Sequence, residues 1–262
     1  GWRTLTRPQV GDFEVATGEM LNNVIDHSES PDATLALEWL PDKVRLSICD
    51  RGVGIFAKIQ SALGLANEHD ALLELAKGGL TTDPQRHTGE GIFFTARMFD
   101  DFSILSGTMY VSFNSDGNDW VIEEPHLKQA SNEGTMVTMS IDPESKRTTR
   151  EVFDRAASQD GERAESITRT HLAVRLAQPG GEPLVSRSQA KRVLARLEQF
   201  EEAILDFRGI PEIGPAFADE MFRVFAASHP SVRLIPVDAN EQVMRLIIHV
   251  QTRAPSVEGS EE

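Results

Sequence analysis

The sequence predicts an α/β protein of two parts: an α/β sandwich with helices on one face of a mainly antiparallel sheet, then a smaller α/β domain. Three observations predict it. The first half reads as a helix, two strands, short helices and then a meander of four strand-like segments with no helix between them. The last third alternates strand and helix three times over about 90 residues, the rhythm of a compact α/β unit. Between the two, Asp142–Ser166 is rich in charge and poor in large apolar side chains. The expected division is residues 1–144, a charged linker 145–165, a second domain 166–253 and a disordered tail 254–262.

The elements follow from periodicity. Asp12–Ser28 has helical spacing, with Leu21, Val24 and Ile25 on the side expected to be buried. Thr34–Trp39 and Lys43–Cys49 read as strands around the turn Leu40-Pro41-Asp42. Phe56–Leu63 and Asp70–Lys77 are short helices, Gly78–Glu90 a polar Gly- and Thr-rich loop, and Gly91–Asp100 helical again. The meander comprises Phe102–Leu105, Met109–Phe113, Trp120–Glu123 and Thr135–Ile141. Thr148 and Glu151 have capping-box spacing inside the charged stretch. Beyond it, Ile167–Leu176 alternates like a half-buried strand. Ser186 and Gln189 open a helix to Phe200, with Ala190, Val193, Leu194 and Leu197 inward. Ala203–Phe207 and Val232–Val237 are strands, Ala216–Ala227 is a helix, and Asn240 caps a last helix to Val250.

Composition narrows the function. A chain of 262 residues, 40% of them hydrophobic, is long and apolar enough for two packed cores. A net charge of −15 argues against nonspecific binding of nucleic acid or acidic membrane. No apolar run is long enough to span a bilayer, and no secretory signal pattern opens the chain. The single cysteine, Cys49, sits in an apolar strand pattern, reads as core packing, and excludes a disulfide framework or a multi-cysteine zinc site. These features place the chain in the cytoplasm. Its opening on Gly1 reads as a piece of a longer protein, and nucleic acid is expected only where an upstream domain outside this chain exists to bind it.

Four segments carry chemistry. Glu19, Asn22, Asn23 and Asp26 fall at i, i+3, i+4 and i+7, on one helix face. A solvated polar stripe would look the same, but a carboxylate there can polarise water and an amide oxygen is a hard ligand for Mg²⁺. Asp50-Arg51-Gly52-Val53-Gly54 puts an acid at a strand end before alternate glycines, where a flat ligand can approach the backbone and Asp50 can accept from an amino group. Gly78–Asp83 and His87-Thr88-Gly89-Glu90-Gly91 form a glycine-rich loop opening into a helix, an arrangement that holds phosphate on backbone N–H groups. Gly134-Thr135 brings a hydroxyl to the start of the last strand. The P-loop pattern is absent, and Gly89-Glu90-Gly91 follows a loop rather than a strand, unlike a dinucleotide fingerprint.

Each segment alone is weak, but the four in this order resemble the GHKL (Bergerat-fold) ATPase superfamily of gyrase, heat-shock-90, histidine kinases and MutL, across about residues 10–141. Glu19 and Asn23 match that family's N box, Asp50–Gly54 its DxGxG box, His87–Gly91 its second glycine box and Gly134-Thr135 the Gly-Thr of its closing strand. The resemblance implies ATP with Mg²⁺ as ligand, Asn23 on the Mg²⁺, and Asp50 on the adenine amino group with help from Thr135. It implies backbone approach at Gly52, Gly54, Gly89 and Gly91, and a lid over Gly78–Glu90. Asp26 matches an acidic position of the gyrase-like box. Ile55, Gly79, Thr81, Thr82, His87, Thr88 and Glu90 complete the set around the nucleotide. Glu19 would activate water in a hydrolase or polarise an acceptor hydroxyl in a kinase. His27 reads as structural. The second glycine box has no lysine, which leaves Arg86, His87 or a partner's residue to supply positive charge.

Ser186–Lys191, Leu205–Ile210 and Phe217–Glu220 resemble the STAS-like module DUF4325, over roughly 167–252. STAS antagonists of anti-sigma factors carry a phosphorylatable serine just after the strand equivalent to Ala203–Phe207. Here Gly209–Ala216 contains no Ser or Thr, so the module reads as a docking or dimerisation domain. The leading expectation is an ATP-dependent regulatory switch with slow hydrolysis, acting on domain docking, a protein partner or a homodimer. A serine/threonine kinase resembling the anti-sigma-factor kinases, and a module that holds ATP without turnover, stay open beside it.

Overall fold

A computed structural model describes residues 4–81, 89–115, 118–123, 132–145, 168–178 and 181–252. The chain divides into two compact units, residues 1–167 and 168–262. The Thr148/Glu151 box, most of the charged stretch and the expected tail lie outside the described residues.

The first unit opens with helix α1 (Arg7–Asn23), which starts earlier than the expected Asp12. Thr6 and Gln9 form a reciprocal capping box: the Gln9 N–H donates to Thr6 Oγ1 at 3.4 Å and the Thr6 N–H donates to Gln9 Oε1 at 2.8 Å. Pro8 fits the first turn because no N–H is needed there. The buried stripe runs through Gln9, Phe13, Ala16 and Met20. Leu21 and Val24 are only half-buried and Ile25 is 75% exposed, contrary to the sequence expectation. The stripe set by Phe13 and Met20 leaves Leu21 on its flank. Past Asn23 the helix widens into a π-turn, Val24–Ser28, which rotates the last residues off the α-helical face.

Six strands follow: β1 (Ala33–Trp39), β2 (Val44–Asp50), β3 (Asp101–Gly107), β4 (Met109–Asn114), β5 (Asp119–Glu123) and β6 (Asn132–Ile141). They form one antiparallel sheet in the order β1-β2-β6-β3-β4-β5. The last strand in sequence therefore sits inside the sheet. Alternation sorts the faces: Val44, Leu46 and Ile48 of β2, Phe102 and Ile104 of β3, and Val137 and Met139 of β6 are buried. Helices α2 (Ile55–Leu63), α3 (Glu68–Lys77) and α4 (Gly91–Met98) complete the unit. Phe102 and Phe113 meet Trp120 edge-on, with ring centres 5.8 and 5.4 Å apart. Each large side chain removed from water contributes about 1.5–3 kcal/mol.

Charged side chains also enter this core: Lys77 and Glu74 are buried and Arg97 is half-buried. Lys77 is paired with Glu74 at 2.6 Å. The Arg97 guanidinium lies over the Phe93 ring at 3.5 Å and near that of Phe113 at 4.7 Å, and donates to the Phe93 carbonyl at 3.0 Å. Burial pulls its pKa down from the usual arginine value to about 9. Cys49 is half-buried on the opposite face of the sheet rather than in the core. Burial, then the charge of Asp50, pushes its thiol up, away from reactivity.

The second unit is a three-stranded sheet, β7 (Arg169–Ala173), β8 (Glu202–Asp206) and β9 (Arg233–Val237), parallel throughout in the order β7-β8-β9. Parallel neighbours need crossovers, and helical segments fill both. The first helix, Arg187–Leu194, is capped by Ser186, whose Oγ accepts from the Gln189 N–H at 3.2 Å. It stops short of the expected Phe200 because Arg196 takes φ +62° and the chain continues as a 3₁₀ turn, Leu197–Gln199. Ala190, Val193, Leu194 and Leu197 are all buried, as the spacing predicts. The second crossover is Pro215–Asp219, continued by a π-helix at Glu220–Phe225 and by Ala226–Ser228. The strand expected over Ile167–Leu176 is shorter, with a 3₁₀ turn at Val174–Ala177. Asn240 caps the last helix, Glu241–Gln251, by accepting from the Val243 N–H at 2.9 Å. Among the described residues, no helix is long and apolar enough to cross a membrane.

The Ser186 cap gives a local test of this unit. Ser186→Ala should cost about 1 kcal/mol and speed amide exchange within Arg187–Leu194 roughly fivefold. Hydrogen-exchange mass spectrometry of the peptide spanning that helix measures it.

Candidate functional site

The end of β2 is where the site begins. Asp50 is 4% exposed, and its Oδ1 accepts the N–H groups of Gly52 at 2.8 Å and Thr135 at 3.3 Å. One buried carboxylate thus ties its own turn to the start of β6. A second knot lies beside it. The Ile55 N–H donates to Thr135 Oγ1 at 2.9 Å and to Ser106 Oγ at 3.1 Å, and Ser106 Oγ donates to the Gly134 carbonyl at 2.9 Å. Three strand ends and the first turn of α2 therefore hold one another.

The glycines are there for closeness. A Cβ on Gly52 would overlap the carbonyl of Ser28, which accepts the Val53 N–H at 2.8 Å. A Cβ on Gly134, whose φ is +100°, would overlap the Asp50 backbone. The turn after β2 is thus pressed against the end of the first helix on one side and β6 on the other.

The first helix supplies the opposite wall. Glu19 and Asn23 are one turn apart on α1, and the π-turn that follows brings Val24, His27 and Ser28 to the same wall. The Glu19 carboxylate reaches the start of α4, where a Cβ on Gly91 would overlap its Oε2. A carboxylate at a helix N-terminus meets the positive end of the helix dipole.

These walls enclose a cavity of about 370 Å³, within the range of small-ligand sites. Met20, Ile48, Ile59, Leu75 and Val137 form its apolar lining. Of the residues predicted from sequence, Glu19, Asn23, Asp50, Gly54, Ile55, Thr81, Gly89, Gly91 and Thr135 line it together. Asp26, Gly52, Gly79 and Glu90 do not. Asp26 is exposed at the π-turn, and Gly52 acts from behind Asp50. Thr82, His87 and Thr88, like Arg86, lie outside the described residues.

Sequence reasoning missed three polar groups here. Lys58 lines the cavity and is its only Lys or Arg among the described residues; its Nζ pairs with Glu29 at 2.5 Å. Its place one turn after Gly54 on a helix opening at the DxGxG turn was the available signal. Ser28 and Ser106 had no spacing signal, because a π-turn and a strand crossing put them there. His27, read as structural, also lines the cavity.

Residues 3–112 match the family model of the histidine kinase-like ATPase domain. The chain carries a histidine kinase-like ATPase domain. Residues 189–244 match a STAS-like domain of unknown function (DUF4325), so the two domains stand in the expected order. No curated protein matches the chain. The ATPase match ends within β4, and Gly134-Thr135 lies beyond it. The sheet restores the connection, because β6 pairs with β2 and places Thr135 against Asp50. A histidine kinase-like ATPase domain followed by a STAS-like domain fits a nucleotide-binding regulatory role.

Gly52→Ala tests the wall of the ATPase domain. The added methyl overlaps a backbone carbonyl rather than a flexible side chain, so the substitution should destabilise by about 2 kcal/mol or more. A lower midpoint for unfolding of the first unit, followed by near-ultraviolet circular dichroism, is the expected result.

Proposed function

We propose that the cavity of the ATPase domain binds ATP with Mg²⁺ and that the protein is a regulatory switch, with slow hydrolysis controlling how a domain or partner docks. The observation that carries this reading is the convergence of Asp50, Thr135, Glu19 and Asn23, from three distant parts of the chain, on one cavity.

The residues fit the ligand. Asp50 Oδ1 is used by the backbone, while Oδ2 has no hydrogen-bond partner among the described residues and suits an exocyclic amino group. Thr135 Oγ1 accepts from the Ile55 N–H and keeps its own proton for a ring nitrogen or a bridging water. The apolar lining suits a purine ring. On the opposite wall, Asn23 Oδ1 makes no hydrogen bond among the described residues and is the hard oxygen that would hold Mg²⁺. Bound there, Mg²⁺ would supply charge neutralisation to the phosphates. Glu19, one turn earlier on the same helix, would hold and orient the attacking water and take its proton. Lys58 adds a cation at the cavity wall, already oriented by Glu29. The STAS-like domain, whose loop after β8 carries no hydroxyl side chain from Gly209 to Ala216, reads as the element that docks.

Titration calorimetry should give Mg²⁺-dependent ATP binding by the full chain, weakened at least about thirtyfold by Asp50→Asn. That variant keeps an acceptor for Gly52 and Thr135 but turns a donor toward the ligand. Wild-type protein that gives no heat with ATP and Mg²⁺ would sink the proposal. Glu19→Ala should leave ATP affinity within about threefold while slowing phosphate release on the order of a hundredfold. Equal phosphate release by wild type and variant would remove hydrolysis from the reading.

A further inference from the structure

The helix layer of the first unit stops short of the sheet. β1 is an edge strand, paired along its length with β2 and with no other strand among the described residues. Direct register puts Leu35 opposite Ile48, Leu37 opposite Leu46 and Trp39 opposite Val44, all on one face. The β2 members of these pairs are 1–2% exposed, whereas Leu35, Leu37 and Trp39 are 47%, 55% and 55% exposed. The core face thus runs out to the edge without cover.

Edge strands of stable monomers are normally blunted by lysine, proline, a bulge or shortness. β1 has none of these: seven residues pair in unbroken register, and the sequence Ala-Thr-Leu-Ala-Leu-Glu-Trp holds one charge. That charge, Glu38, lies on the opposite face beside its own Arg45 at 3.6 Å.

We propose that β1 is a homodimer interface, joining two copies antiparallel across a twofold axis at Ala36. The strand is complementary to itself in that register. Leu35 of one copy meets Leu37 of the other and Ala33 meets Trp39, so apolar faces apolar on the helix-bearing side. On the far side Thr34 meets Glu38, which keeps the two glutamates apart and gives each a hydroxyl neighbour. The axis is perpendicular to the sheet, so both helix layers lie on one side and the two six-stranded sheets become a single continuous sheet. Strand pairing supplies main-chain hydrogen bonds, and the leucine and tryptophan side chains supply the buried apolar area. None of these side chains lines the nucleotide cavity, so the inference stands apart from the function proposed above.

Two measurements on the full chain test it. Sedimentation velocity at micromolar concentration should show a dimer, with Leu37→Lys weakening association at least about tenfold. Leu37 is largely exposed, so the lysine should leave the thermal midpoint close to that of wild type. In a Cys49→Ser background, Ala36→Cys places two thiols across the axis at the Cα separation of directly opposed antiparallel residues, about 4.5–5.5 Å, which a disulfide can bridge. Mild oxidation should then convert the protein to a covalent dimer on a non-reducing gel. A wild-type monomer would overturn the proposal. So would a dimer in which the Ala36→Cys variant fails to cross-link.

Discussion

A single buried carboxylate organises the ATPase domain. Asp50 ends β2 with almost no exposure, and a carboxylate taken out of water needs hydrogen bonds in return. It obtains them from two backbone N–H groups, of Gly52 and Thr135, each such bond contributing about 1.5–3 kcal/mol. The first bond folds the DxGxG turn back on the strand; the second fixes the start of β6. Gly52 and Gly134 follow as requirements, since the chain segments so joined leave no room for a Cβ at either position. Only one oxygen is consumed, and the other remains an acceptor at the cavity.

The second unit uses the same local device with a different outcome. Asp206 ends β8, is 2% exposed, and its Oδ1 accepts the N–H of Arg208, two residues on, at 2.7 Å. This is the geometry of Asp50 and Gly52 again. Here the following residue is arginine instead of glycine. Its guanidinium stands 3.5 Å from Asp206 Oδ2 and bonds Asp238 at 2.8 Å. An acid that lines the cavity in one domain is answered in the other by that domain's own cation.

Much of this was legible in the sequence for physical reasons. Glycines forced by close approach and an acid at a strand end survive as patterns because few other residues fit, so the cavity wall around Asp50 could be read directly. The α/β class and the inward stripe of Ala190, Val193 and Leu197 were equally plain from periodicity. Other features depend on geometry that periodicity does not encode. The π-turn at Val24–Ser28 inserts an extra residue per turn, which is why Ile25 points to solvent and His27 and Ser28 reach the cavity. The Thr6–Gln9 box was readable as Thr-Arg-Pro-Gln and lay upstream of the expected helix. Lys58 carries no glycine-box signal, because the DxGxG pattern ends at Gly54 and the cation comes one turn later on α2. Strand order is invisible to any local pattern, and it decides that Thr135 meets Asp50.

The interior position of β6 has a consequence for how the domain is made. Residues 132–141 insert between β2 and β3, although every other strand of the sheet is complete by residue 123. While the chain is still emerging from the ribosome, the β1–β2 hairpin and the β3–β4–β5 meander can each form, but no strand yet joins them. A chain stopped at the end of β5, residue 123, would hold two half-sheets with open inner edges and would lack the cavity lining that Thr135 and Val137 provide. Assembly of the sheet therefore waits for β6, the last of its strands to be made, and the same strand completes the cavity lining.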